Sequence, residues 1–457
     1  MPAVYSLQLI RRVDMFKNWF GWSAGSTEST AGGRALLQRD ETEGASRVES
    51  VTGFLLRQPV IDASNRVIGH ELGYRDASVS HGTDAVVRVL DDETLASFAA
   101  LDLSQLRNDI LLFVRIGPRL LESERLASLP KDRVVLAIDV SFPGVIEQAR
   151  AGVQARASEG WRIAFDNLPD GPADGSLLSS LAFLRFDLRS YNAVELDRQI
   201  KSLRERGKLM LVARQVETED DFEACQVMTF DAFQGYYFAR MRPQMARRVD
   251  HDRIRVMRLL NLVAQRAEIS ELDSVLRRDA MLAYKLLVYI NSPLSGLDHQ
   301  LESIAQALMF LGYDPLYRWL TVLLFTCGTR HPRDRLLLQQ ALLRGRLLEQ
   351  IGLVHLPRKD AEALFLLGMF SLLDVLLNTP MEEAIEPLNL TGAIREALLS
   401  GEGPYTPYLK LGIALEGGQW YDADALARSL GLNADRVNPL LVEAMTWAAT
   451  LDNLPQD

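Results

Sequence analysis

FLLRQPVIDASNRVIGHELGYRDA, Phe54 to Ala77, reads as two short strands joined by a polar turn. Phe54 to Asp62 forms the first strand, Val67 to Arg75 the second, and Ala63 to Arg66 the turn between them. Glu71 and Arg75 stand four apart on an extended segment and so point to one face. An acid and a base aimed together from a strand suit a phosphate ester and its metal. An ion pair across a strand face accounts for the same spacing, so the decision falls to the rest of the chain.

Outward from this hairpin, strand-like and helix-like segments alternate as far as about Pro243. A helical stretch is expected over Thr83 to Leu106. Further strands are expected at Asp109 to Ile116, Arg133 to Val140, Trp161 to Asp166, Ala182 to Asp187, Lys208 to Ala213 and Asp231 to Phe238. Helices are expected from Pro118, over Pro143 to Ser158, over Asn192 to Arg206 and near Glu219 to Met228. Apolar strands separated by amphipathic helices predict parallel β/α units closed into a compact barrel. In such a barrel the C-terminal strand ends form the site. Here they carry Glu71, Arg115, Asp139, Asp166, Asp187 and Arg214.

From Asp252 onward the strand runs stop and helical periodicity continues to Thr450. The predicted fold class is therefore α/β plus all-α. The expected domains are a disordered tail over 1–51, a barrel over 52–245 and an all-helical domain over 246–457. Tail residues Phe16, Trp19, Phe20 and Trp22 form an aromatic cluster ahead of a Gly-, Ser- and Thr-rich stretch that cannot order itself.

The 457-residue chain carries a formal net charge of -10, which argues against non-specific nucleic-acid binding. Cys225 and Cys327 are far apart, make no metal spacing or disulfide framework, and are expected to be buried small residues in a reducing cytoplasm. The most apolar runs, Leu316 to Cys327 and Ala361 to Leu377, contain charged residues and read as buried helices rather than membrane spans. The N-terminus lacks a signal-peptide pattern. Arg344, Arg346, Arg358 and Lys359 read as a solvated helix face.

RQPVID, HELGYR, LLFVRI, WRIAFDNLPDG, FLRFD, VARQVETEDDF and FQGYYFARMRP stand in the order, and at about the spacing, of the EAL domain family. The first half of the chain resembles that family, bacterial phosphodiesterases that cut cyclic di-GMP. The helical half resembles the HD-related output domain, HDOD, on LLVYINSPLSGL from Leu286 and SIAQALMFLGYDPLYRWL from Ser303. HDOD domains look like HD folds that lack the metal residues, and His251, His299, His331 and His355 are expected in loops or at the surface.

The EAL resemblance implies a two-metal hydrolase in which carboxylates hold divalent ions that activate water. At the family's positions this chain keeps Glu71, Asp166, Asp187 and Glu217. It also keeps Gln58, Arg75 and Gln234, which the resemblance places at or near the nucleotide. The departures are Arg115 for the metal-binding Asn, Ala137 for a Glu and Asn167 for the second Asp. Arg185 replaces a Lys, and Arg214 replaces a Glu. Four carboxylates then face three guanidinium groups. The expectation is that Arg115 and Arg214 pair with Glu71, Asp166 and Glu217 and fill the space of the metals; the alternative turns these arginines out to solvent.

These departures lead to the expectation of a signalling protein that is not an enzyme, with no catalytic residue and no metal. Mg²⁺ enters only if the phosphodiesterase alternative holds. A second alternative is a cyclic di-GMP receptor. The expected partners are other signalling proteins, through the HDOD half; a homodimer follows from EAL relatives.

Overall fold

A computed structural model describes residues 53–76, 111–169, 175–206, 209–241, 250–277, 279–290, 304–327, 332–416 and 423–450, with single positions between 95 and 110. The tail over 1–51, most of Thr83 to Leu106, His299 and His331 lie outside the described residues, as does the side chain of Arg75.

Eight strands close into a barrel: β1 (Gly53–Asp62), β2 (Val67–Asp76), β3 (Leu111–Arg115), β4 (Val134–Asp139), β5 (Arg162–Asp166), β6 (Phe183–Asp187), β7 (Met210–Arg214) and β8 (Ala232–Gln234). β2 to β8 run parallel, whereas β1 is antiparallel to both of its neighbours, β2 and β8. The Ala63–Arg66 turn imposes this reversal: a two-stranded hairpin needs only a short turn, whereas parallel neighbours need a crossover. Asp62 fixes the turn by accepting from the backbone N–H groups of Ser64 and Arg66, each at 2.9 Å.

Between the strands lie α1 (Val145–Ser158), α2 (Gly175–Leu178), α3 (Ala193–Arg206) and α4 (Glu219–Val227). Pro118 opens two 3₁₀ segments, Pro118–Glu122 and Glu124–Ser128, in place of the expected α-helix. The eighth strand is also shorter than expected. Its last residues turn into a 3₁₀ segment, Tyr237–Ala239, after Gly235. Gly235 has φ +154 and its backbone lies directly on Val216, where no side chain fits.

Alternation with period two builds the barrel interior. Val60, Phe113, Val135, Ala137, Ala164, Phe183, Val212 and Ala232 form one apolar layer. The next inward-facing residue toward the mouth is polar or charged on most strands: Gln58, Arg115, Asp139, Asp166, Arg185, Arg214 and Gln234. Glu71 joins this layer from β2, opposite Gln58.

The helical part comprises α5 (His251–Ala264), α6 (Ile269–Arg277), α7 (Ala280–Ile290), α8 (Ile304–Leu311) and α9 (Tyr313–Thr326). It continues with α10 (Pro332–Leu353), α11 (Arg358–Phe370), α12 (Leu373–Leu377), α13 (Met381–Ile385), α14 (Gly392–Leu399), α15 (Thr406–Leu415), α16 (Ala423–Ser429) and α17 (Ala434–Thr450). Its residues fall into two compact units. α5 to α9 form one unit with residues 386–389, in which Asn389 N donates to Asn261 Oδ1 at 2.8 Å. α10 to α17 pack with the barrel in the other.

In the barrel unit the outward face of β1 is covered by helices. Arg57 Nη1 donates to Gln340 Oε1 on α10 at 2.8 Å, and Asn438 on α17 hydrogen-bonds both Leu55 N and Gly53 O. Arg333 donates its Nε to the carbonyl of Phe238 at 2.9 Å. Arg344, read from sequence as solvent-facing, is buried and pairs with Glu416 through Nε at 2.7 Å and Nη2 at 2.6 Å. Both cysteines are buried. His251 opens α5 as its first helical residue, capped by Asp250, and is exposed at the surface. Among the described residues no helix is long and apolar enough to cross a membrane.

Candidate functional site at the barrel mouth

The charged layer sits at the C-terminal ends of the parallel strands. β5 brings Asp166 inward two residues after Ala164, β6 brings Arg185 two residues after Phe183, and β7 brings Arg214 two residues after Val212. All three are buried, as are Glu71 and Gln234.

Arg185 is the centre of the cluster. Its Nε donates to Asp166 Oδ1 at 2.6 Å and its Nη2 to Asp166 Oδ2 at 2.8 Å, and Nη2 also reaches Glu71 Oε1 at 3.3 Å. Its guanidinium carbon lies 5.3 Å from the centre of the Phe113 ring. Arg214 Nη1 donates to Asp166 Oδ2 at 3.3 Å, and Nη2 lies 3.6 Å from Glu71 Oε2. Arg115 Nε is 3.3 Å from Asp166 Oδ2 and 3.9 Å from Glu71 Oε1, while Nη2 donates to Asp139 Oδ2 at 3.1 Å. Gln234 Nε2 joins Gln58 Oε1 at 2.8 Å and also donates to Glu71 Oε2.

Burial alone would raise the pKa of Glu71. Arg185, Arg214 and Arg115, with the Gln234 hydrogen bond, outweigh that and hold the carboxyl at about 2. The same opposition holds Asp166 below its usual range. For Arg185, burial lowers the pKa, but Asp166 and Glu71 overcome it and raise it. Glu71, Asp166 and Arg185 are therefore all charged at neutral pH.

Two retained positions, Asp187 and Glu217, and the replaced Asn167 lie outside this cluster. Asn167 has φ +57 and its side chain turns back to accept from Asp187 N at 2.9 Å. Asp187 caps the following 3₁₀ segment and lies 3.3 Å from Arg189. Glu217 was expected to pair with Arg115 and Arg214; its carboxylate instead meets Arg240 at 2.6 Å. The cause is local. Gln215 takes φ +60 straight after β7, which ends the alternation, and Thr218 with Asp221 forms a capping box that starts α4. Sequence reading placed Arg185 as a lost lysine and missed it as the hub. The signal was present in FLRFD, where Arg185 follows the core residue Phe183 by two.

A two-metal centre does not fit these residues as arranged. Each of the four carboxylate oxygens of Glu71 and Asp166 already faces a guanidinium or amide group, and with Asp139 on Arg115 three negative charges already meet three positive ones.

The HDOD domain family model matches residues 253–389. A Vibrio cholerae protein, cyclic di-GMP phosphodiesterase CdgJ, is 25% identical over 423 residues, covering 88% of this chain and 94% of its own. The uncharacterised protein YuxH of Bacillus subtilis is 26% identical over 411 residues, 87% of this chain and 98% of its own. Among solved structures, an EAL domain protein from Listeria monocytogenes is 20% identical and covers 41% of this chain and 88% of its own, with a TM-score of 0.33. The expectation that this chain is not an enzyme is corrected by CdgJ: a relative aligned along nearly its whole length is named for phosphodiester cleavage. Residues 253–389 match the HDOD domain model, and ahead of them the chain folds into a closed eight-stranded barrel.

Proposed function

We propose that this chain acts in cyclic di-GMP signalling and meets the nucleotide at the mouth of the barrel. One observation carries the reading. A prearranged network of Gln58, Glu71, Arg115, Asp166, Arg185, Arg214 and Gln234 fills the C-terminal ends of the strands, in a chain of which 88% aligns, at 25% identity, with a protein named a cyclic di-GMP phosphodiesterase. Arg115 is the cation of this network nearest to solvent, with 15% of its side chain exposed. Guanidinium groups are strong phosphate ligands, so Arg115 is the group that a phosphodiester reaches first. The HDOD residues then pass the state of the barrel to a protein partner.

Calorimetric titration of the full chain with cyclic di-GMP tests this, with the recovered nucleotide assayed for the linear product. Saturable heat, weakened roughly tenfold or more by Arg115→Ala, is the expected result. Absence of heat from the wild type sinks the proposal. The product assay shows whether turnover accompanies binding.

A further inference from the structure

The barrel mouth already contains its cations. We infer that Arg115, Arg185 and Arg214 stand in for divalent metal, so that this pocket is complete without Mg²⁺ or Mn²⁺ and takes up neither.

The oxygens are occupied first. Mg²⁺ and Mn²⁺ need several oxygen ligands, and the four buried carboxylate oxygens here are shared among three guanidinium groups and Gln234. Among the described residues no group of three or more His, Cys, Asp or Glu side chains is placed to hold a metal.

The charge balance is the second argument. Three guanidinium groups already balance the carboxylates of Glu71, Asp166 and Asp139, so no negative charge is left over for a divalent cation, which would have to enter beside three fixed positive charges. A lysine can relieve such a conflict by losing its proton. A guanidinium group does not.

Geometry makes the arrangement permanent. Arg185 is fully buried between Leu184 and Phe186, which face outward and are buried themselves. Turning Arg185 out of the barrel would require a one-residue slip of β6, which would put every side chain of that strand on the wrong face. Arg214, the last residue of β7, follows the buried Ala213 and is paired on both sides, with Asp187 of β6 and Gln234 of β8.

Mn²⁺ titration of the full chain, without nucleotide and read by electron paramagnetic resonance, is the test. It does not depend on whether cyclic di-GMP binds. The expected result is that millimolar Mn²⁺ keeps its free signal and that EDTA leaves the thermal midpoint unchanged. Mn²⁺ uptake that persists in Asp166→Asn lies elsewhere on this acidic protein and agrees with the inference. Stoichiometric uptake by the wild type that is lost in Glu71→Gln or Asp166→Asn overturns it. A triple variant, Arg115→Asn with Arg185→Lys and Arg214→Glu, leaves four carboxylates, Asp139 included, against one ammonium group. Where it folds, it should bind Mn²⁺ at least tenfold more tightly than the wild type and gain thermal stability from it. A folded triple variant that ignores Mn²⁺ also overturns the inference. Should it not fold, the wild-type titration still decides.

Discussion

Arg185 grips both oxygens of Asp166 from inside the barrel, Nε to Oδ1 at 2.6 Å and Nη2 to Oδ2 at 2.8 Å, with neither side chain exposed to solvent. A fork-to-fork pair of this kind is directional as well as charged. It ties β5 to β6 through side chains, next to the backbone pairing of the same two residues.

Removing one partner strands the other. Arg185→Met leaves Asp166 with only the longer contacts to Arg214 and Arg115, and should cost about 3–5 kcal/mol. Arg185→Lys keeps the charge but loses the fork, and should recover only part of that. Urea unfolding of the three proteins measures the order. A lysine variant as stable as the wild type would show that charge alone matters here.

Acid should weaken the fold through Glu71. Its folded pKa is depressed to about 2 from an ordinary value of 4.5, so the stabilisation is fully present above about pH 4.5 and lost as pH falls toward 2. That linkage is on the order of 3 kcal/mol at neutral pH. Glu71→Gln has no such proton to bind and should show a shallower fall between pH 4.5 and 2. Parallel stability curves for the two proteins would contradict the account.

β8 pairs with β1 only over Val60 to Asp62, so the first half of β1 has no strand on that side. Asn438 takes over there: its Oδ1 accepts from Leu55 N at 2.8 Å and its Nδ2 donates to Gly53 O at 3.1 Å. Buried backbone groups left without partners are costly. Asn438→Ala should lose about 1–3 kcal/mol. Asn438→Asp keeps the acceptor and loses the donor, and should fall between the two. Chemical denaturation, with amide exchange at Leu55 as the local readout, checks both.

The barrel was legible because apolar strands alternate with helices, and because period two carries each core residue to a charged neighbour: Ala164 to Asp166, Phe183 to Arg185, Val212 to Arg214. What stayed hidden is what left no local pattern. Leu55 meets Asn438 across 383 residues, and Arg344 meets Glu416 across 72, so Arg344 read as solvent-facing when it is buried. Glu217 read as a pocket residue because nothing in ARQVE marks Gln215 as left-handed; glutamine is not a residue that usually signals that conformation. Pro118 read as the start of an α-helix, and the chain makes 3₁₀ turns instead.

α10 and α11 cross backbone to backbone at two glycines. A Cβ on Gly368 would lie 2.5 Å from Gly345 Cα and 2.6 Å from its N, and one on Gly345 would lie 2.9 Å from Phe365 O. These are main-chain atoms, so neither helix can yield by a rotamer change. Gly368→Ala therefore has to separate the helices, which also loosens the packing of buried Phe365 and Leu348. A cost of about 2–3 kcal/mol is expected, despite alanine's better helix propensity. Gly392, the first residue of α14, has open space around its Cβ position, so Gly392→Ala should be neutral or slightly stabilising. The pair separates steric from intrinsic effects in one measurement of thermal midpoints. Equal shifts at the two positions would mean that the helix crossing tolerates a methyl group and that the close approach of Gly345 and Gly368 is not required.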